Sequence, residues 1–310
     1  MVDNLIIFGA GASFGAGSAF FGWHYSPIAK VPPLGNNLFL DLCLFAPTTW
    51  GIIPSNFADI FKSDFETGMA TIAQSSFSIT DLQRALALYF FNFHIGTENL
   101  YSKLAALIKN SAWSGALATL NYETLLLQAI NSNGLQPISG TNATNHHQIE
   151  VCFPHGCCHI FCDSIQARGV DFKIGLSTSG VISVQGDPKT YLNKLNSSSI
   201  PPVMSYYEPN KRTLAGINFI EQQRARLMQL IANAQHIAII GVRFNEYDHH
   251  IWKPLADTNA QLIYCSGKGE ENIKLFEKWN RDSRSNKSTI ILRDFFREAF
   301  NAINKFVKLT

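Results

Sequence analysis

A short apolar run, Leu5-Ile6-Ile7-Phe8, passes directly into Gly9-Ala10-Gly11-Ala12-Ser13. Such a run is the pattern of a strand buried on both faces, and the glycines after it permit a sharp turn into a helix. Strand, glycine turn and helix start form the opening unit of a doubly wound sheet. The last third of the chain repeats the alternation. A helix over about 217–232 precedes a strand at 237–241, a helix near 246–255 precedes a strand at 261–264, and a helix at 270–279 precedes a strand at 289–292 before a terminal helix. Strands alternating with helices predict a parallel sheet covered on both faces. The expected fold class is α/β, a doubly wound Rossmann-like parallel sheet with a helical insertion after the first βα unit.

That insertion is placed at about 38–112. Asn36 or Asn37 is read as the cap of a helix starting at Leu38, and Thr80 as the cap of another carrying Leu82, Ala85, Leu86, Tyr89 and Phe90 at helical spacing. No strand is legible in this stretch. The sheet resumes at 114–120, and Asn121-Tyr122-Glu123-Thr124 leads into an apolar helix at 125–130. A β- and loop-rich segment covers about 134–212, with Pro201-Pro202 and Glu208-Pro209-Asn210 marking a long loop. The 310 residues are read as one domain.

An apolar share of 46% suffices for a sizeable core, and the 15% of charged residues lies below the roughly 25% usual for soluble domains. This argues against disorder and for surface buried in a homo-oligomer. Lys and Arg number 25 against 23 Asp and Glu, so the net charge of +2 supplies no strong footprint for nucleic acid. No apolar run is long enough to span a bilayer, and the first residues lack the pattern of a signal peptide. The expectation is a cytoplasmic protein without a membrane partner. Four of the six cysteines, Cys152, Cys157, Cys158 and Cys162, lie beside His155 and His159. Structural zinc ordinarily uses two short ligand pairs set apart, whereas these fall in one stretch. Packed, reduced thiols are therefore expected, and no metal.

Four segments carry candidate chemistry. At Gly9, Gly11 and Ser13 the backbone can approach a pyrophosphate closely, or the turn is simply tight. After Gly11 the next glycine is Gly15, which is not the GxGxxG spacing, and no acidic residue follows where a ribose anchor would end a second strand. Hydride transfer is thereby disfavoured. Asn121 and Glu123 stand just past the end of a strand, where α/β sheets bind ligands, although Asn121 also suits a helix cap. His155 sits between Pro154 and Gly156, as a packed side chain or a functional one. Residues 239–248 repeat strand, glycine turn and helix start, placing Gly241 and Asp248 where the other half of a dinucleotide would lie.

Together these segments resemble the sirtuin family, and more closely its divergent bacterial branch. Gly9-Ala10-Gly11-Ala12-Ser13 matches the GAGxS turn, Thr119-x-Asn121-Tyr122-Glu123 the TxNYD motif, His155-Gly156 the catalytic HG, and Gly241 to Asp248 the late glycine motif. Pro33 to Phe39 is similar to the proline-containing stretch of the branch. Two departures stand out: Glu123 replaces an Asp, and Arg243 replaces a common Ser. The paired-cysteine zinc ribbon is missing as well. The resemblance implies an NAD glycohydrolase of antiphage defence that releases nicotinamide and ADP-ribose. Asn121 and His155 would be catalytic. Gly9, Ala10, Gly11, Ser13, Phe14, Glu123, Gly241, Asp248 and Ser266 would hold NAD, with Glu123 at the nicotinamide amide and Ser266 near the adenine. Control by a regulatory partner such as an ATPase is implied by the same analogy. A non-catalytic NAD- or ADP-ribose-binding module and an NAD-dependent deacylase remain as alternatives.

Overall fold

The structure, a computed structural model, describes residues 2–22, 30–75, 77–171, 175–205, 213 and 215–309, without the side chains of 36 and 165–179. Pro27 and Glu208-Pro209-Asn210 lie outside the described residues. Strand β1 (Asn4–Phe8) is fully buried and runs into α1 (Ala10–Gly15). Strand β2 (Gly17–Phe21) then leads to the insertion, with helices α2 (Gly35–Phe45), α3 (Ser55–Ser63), α4 (Phe65–Ile72) and α5 (Ile79–Phe91), strand β3 (Phe93–Asn99) and helix α6 (Leu100–Lys109). The sheet resumes with β4 (Gly115–Thr119), followed by α7 (Leu125–Ser132), β5 (Gln136–Ile138) and β6 (Gln148–Cys152). A ribbon of β7 (Ile160–Asp171) and β8 (Gly175–Val184) precedes α8 (Pro188–Ser197) and α9 (Ile217–Asn233). The closing alternation is β9 (His236–Ile240), α10 (His249–Asp257), β10 (Gln261–Cys265), α11 (Glu270–Arg284), β11 (Thr289–Leu292) and α12 (Phe296–Phe306).

Seven strands form one parallel sheet in the order β11-β10-β9-β1-β4-β6-β5. The chain winds outward from β1 in both directions, which makes this a doubly wound Rossmann-like α/β fold with a helical insertion after its first βα unit. Alternate residues of β1 serve opposite faces, Ile6 and Phe8 joining one apolar cluster and Leu5 and Ile7 the other. Burial on both faces is why the central strands β1 and β9 read as unbroken apolar runs. The switch of direction falls beside β1, between β4 and β9. Ligands of such sheets bind at the carboxyl end of that switch. Among the described residues no helix is long and apolar enough to cross a membrane.

Four local expectations are corrected. Helix α2 starts at Gly35 after Leu34, with no side-chain cap, so neither Asn36 nor Asn37 precedes it. Helix α5 is capped by Ser78, whose hydroxyl accepts from the Asp81 N–H, and Thr80 lies inside the first turn. Strand β3 occurs where none was expected, pairing antiparallel with β2. Its sequence, Phe-His-Ile-Gly-Thr-Glu-Asn, has too few apolar residues to read as a strand, because a ribbon outside the main sheet need not be buried on both faces. The late helix also begins later than its periodicity indicates, at His249. Asn245 turns the preceding segment, its side chain accepting from the Tyr247 N–H and its carbonyl from the Asp248 N–H.

Candidate functional site

At the carboxyl end of β1, β4 and β9 the three following turns enclose a cleft of about 530 Å³. Gly9, Ala10, Gly11 and Ser13 line it from the first turn, Asn121 and Glu123 from the second, and Gly241 and Asp248 from the third. His155 and Ser266 also line it. Of the sequence-derived candidates only Phe14 stands apart: its side chain is 43% exposed and is not among the lining residues.

The first and third turns are built against each other. The Gly9 N–H donates to the Ile240 carbonyl and the Gly11 N–H to the Gly241 carbonyl. A Cβ on Gly241, at φ +65°, would lie 1.9 Å from the Ala12 nitrogen, and one on Gly9 would lie 2.6 Å from the Gly241 oxygen. The glycines are thus demanded by mutual packing of two backbones. The Ala12 N–H donates to the Gly9 carbonyl, and among the described residues the Ala10 N–H has no carbonyl partner outside the helix.

Beneath the turns lies a buried polar network centred on Ser13. Asn121 Nδ2 donates to the Gly9 carbonyl (3.1 Å) and to Ser13 Oγ (2.8 Å). A carbonyl only accepts, so the Gly9 contact fixes which end of the amide faces it. Ser13 donates to Glu123 Oε1 at 2.6 Å, and its single proton being spent there, the Tyr101 hydroxyl donates to Ser13 at 2.8 Å. Glu123 Oε2 accepts from the Leu125 N–H. Burial pushes the Glu123 carboxyl up to about 7, against the downward pull of the Ser13 and Leu125 hydrogen bonds. Burial and the neighbouring Glu123 raise the Tyr101 hydroxyl well above its ordinary value. Both Asn121 amide hydrogens are therefore committed, while its Oδ1 accepts from no described protein group.

His155 is held by a backbone clamp. Its carbonyl accepts from the Ser205 N–H, and the Val203 carbonyl accepts from the Cys157 N–H. Gly156 sits at φ +76° with the Val203 oxygen 2.0 Å from where a Cβ would be, so no side chain fits between the strands of this clamp. Arg224 anchors the same loop, donating to the Pro154 carbonyl and to Ser205 Oγ. Across from it, His250 brings its Nε2 to 2.9 Å from His155 Nε2.

Arg243, noted in the sequence only as a departure from the motif, is the one lysine or arginine among the described lining residues, with Asp64, Glu66, Glu123 and Asp248 as the acidic ones. Other cleft residues escaped the sequence reading. The insertion supplies a wall through 64–67, tied across the cleft by an Asn245 Nδ2 donation to Glu66 at 3.1 Å. Asn272 donates to Tyr264 and Ser266 and accepts from the Phe244 N–H, fixing the far end. The Asp248-x-His250 spacing carried a signal for His250. Nothing in the sequence pointed to Asn272. The cysteines are free and do not form one constellation: Cys157, Cys158 and Cys162 pack in one core cluster, and Cys152 in the cluster on the other face of the sheet.

No protein-family model matches the chain, and no curated protein matches it. Among solved structures it is similar to Sir2 in complex with an inhibitor, 2′-O-acetyl-ADP-ribose and a deacetylated p53 peptide, at 13% identity over 99% of this chain and 95% of that one, with a TM-score of 0.45. It is similar to a mutant Sir2 homologue in complex with ADP-ribose at 13% identity over 99% of this chain and 92% of the other, also with a TM-score of 0.45.

Proposed function

We propose that the switch-point cleft binds NAD and cleaves its nicotinamide–ribose bond with water, giving nicotinamide and ADP-ribose. The observation that carries this reading is Asn121, which lines the cleft with both amide hydrogens fixed and its oxygen left to accept. Expulsion of neutral nicotinamide leaves positive charge on the ribose. An uncharged acceptor there orients a water or a ribose hydroxyl without trapping the cationic sugar. His155, buried and lining the same cleft, takes the proton released as the water adds. Positioned acid–base catalysis of this kind contributes roughly 10²–10⁴-fold. Arg243 is the cationic partner for the diphosphate, and Ala10 the backbone donor. The inward bonding of Ser13 and Glu123 gives these two the task of holding Asn121 in place rather than touching the ligand. The sequence resemblance adds the biological setting: an effector of antiphage defence that depletes NAD and is restrained by assembly or by a partner such as an ATPase.

A second reading, a non-catalytic module for NAD or ADP-ribose, is favoured by one observation. The Nε2 of His155 already faces His250 at hydrogen-bond distance, which competes with service to a ligand.

The test is product analysis of NAD incubated with the purified protein, with Asn121→Ala and His155→Ala, and with an acetylated peptide in parallel. Nicotinamide and ADP-ribose from the wild type alone, lost in both variants, is the expected result. Product that requires the peptide points instead to deacylation. Intact NAD that nevertheless binds establishes the second reading, and absence of binding overturns both.

A further inference from the structure

Three side chains of metal-ligating type converge at the wall of the cleft. One ligand atom each from His155, Asp248 and His250 lie within 4.8 Å of one another. The two imidazoles meet through Nε2 at 2.9 Å, with ring planes 57° apart, so they are edge to edge rather than stacked. Two N–H groups facing each other at this distance repel, and so do two lone pairs. The pair requires a single electron-poor centre, either one proton or one cation. Asp248 adds a negative charge beside it. This residue stands at the N-cap of α10. His155 and Asp248 are 4% and 6% exposed.

We propose that His155, Asp248 and His250 form a binding site for one divalent first-row transition cation of the zinc, cobalt and nickel class. Imidazole nitrogens paired with a carboxylate select these ions over magnesium or calcium, which prefer all-oxygen surroundings. With metal–nitrogen bonds of about 2.0–2.1 Å, two cis ligands of an octahedral ion lie about 2.9 Å apart, and two ligands of a tetrahedral ion about 3.3 Å apart. The observed separation fits the first, and an opening of about 0.4 Å fits the second. His155 and Asp248 line the cleft, while His250 lines a neighbouring hollow with His249, Lys253 and Asp257. A cation on His155 Nε2 takes a lone pair, so that atom no longer accepts a proton. The site runs against the sequence expectation of no metal, and at this nitrogen a bound cation and the proton transfer proposed above exclude each other.

A second cluster, Cys157, Cys158 and His159, has its ligand atoms equally close. There the Cys157 thiol already donates to the Tyr122 carbonyl at 3.1 Å, and all three residues are buried away from the cleft lining. It serves as the internal control.

The test uses full-length protein stripped with a chelator, titrated with cobalt(II), desalted, and assayed for retained metal and for visible ligand-field absorption. The wild type and Cys158→Ser are expected to retain one equivalent and to show the absorption. Asp248→Asn and His250→Gln, each checked for folding by circular dichroism, are expected to bind at least 10-fold more weakly. Folded wild type that retains no cobalt overturns the proposal without recourse to any variant. Retention unchanged in both triad variants, or lost only in Cys158→Ser, overturns it as well.

Discussion

Replacing Ser13 with alanine tests the polar network from its centre. The hydroxyl accepts from Asn121 and Tyr101 and donates to Glu123, all inside the protein. Without it, two buried donors lose their acceptor, at about 1–3 kcal/mol each before relaxation, so a loss of about 2–4 kcal/mol is expected when Glu123 is neutral. The carboxyl adds a pH dependence whose sign is fixed. In the native protein Glu123 titrates at about 7 rather than 4.5, so between those values the folded chain holds a proton that the unfolded chain has released. Stability therefore falls as pH rises through this window and is level above it, a span worth about 3 kcal/mol. The Ser13 hydrogen bond pulls that value down while burial pushes it up. Ser13→Ala keeps the burial and removes the bond, so the variant's Glu123 titrates above the wild-type value and its stability continues to fall where the wild type has levelled. Urea unfolding of both proteins, followed by circular dichroism from about pH 5.5 to about pH 8.5, reads the difference directly. A gap that widens above neutrality is expected. A gap constant across the range would show that Glu123 does not titrate within this network.

Two further outcomes concern the scaffold. Ser78→Ala should cost about 1 kcal/mol because it removes the α5 cap, while Thr80→Ala should change stability by only a few tenths, with thermal unfolding of the pair as the measurement. Gly241→Ala, which drives a Cβ to within 1.9 Å of the Ala12 nitrogen, should abolish folded protein or cost more than about 4 kcal/mol, whereas Gly186→Ala, with open space around it, should be neutral by the same assay.

The centre of the sheet was legible because its strands are buried on both faces, as residues 5–8 and 237–240 are; the edge run 289–292 is apolar although Ile290 is 44% exposed. Ser78 and Thr80 show what was not. Both are good capping residues, and only the exact start of α5 decides between them. Strand β3 was hidden for a related reason, since Phe93, His94, Ile95 and Asn99 pair with β2 around an irregular stretch at Gly96, Thr97 and Glu98, a non-local contact that local composition does not encode. In the site, the four motif segments do converge on one cleft, which their positions at strand ends foretold. Asn272 and the wall from the insertion depend on how distant segments pack, and no spacing rule reaches them.

Convergence alone, however, does not assign roles, because the same residues also satisfy one another. Gly9 and Gly241 are required by each other's backbones, Ser13 by Glu123, Tyr101 and Asn121, and Gly156 by Val203. A chain that had lost all chemistry would still need most of them to close these turns. What separates a functional cleft from a well-packed corner is therefore the capacity left over after internal bonding. Among the described residues that capacity is specific: an amide oxygen on Asn121, a backbone N–H on Ala10 and the guanidinium of Arg243. An acceptor, a backbone donor and a fixed cation facing one cleft are the complement of a ribose linked to a diphosphate. The glycines that first drew attention to this end of the sheet bring those groups together without themselves needing to touch a ligand.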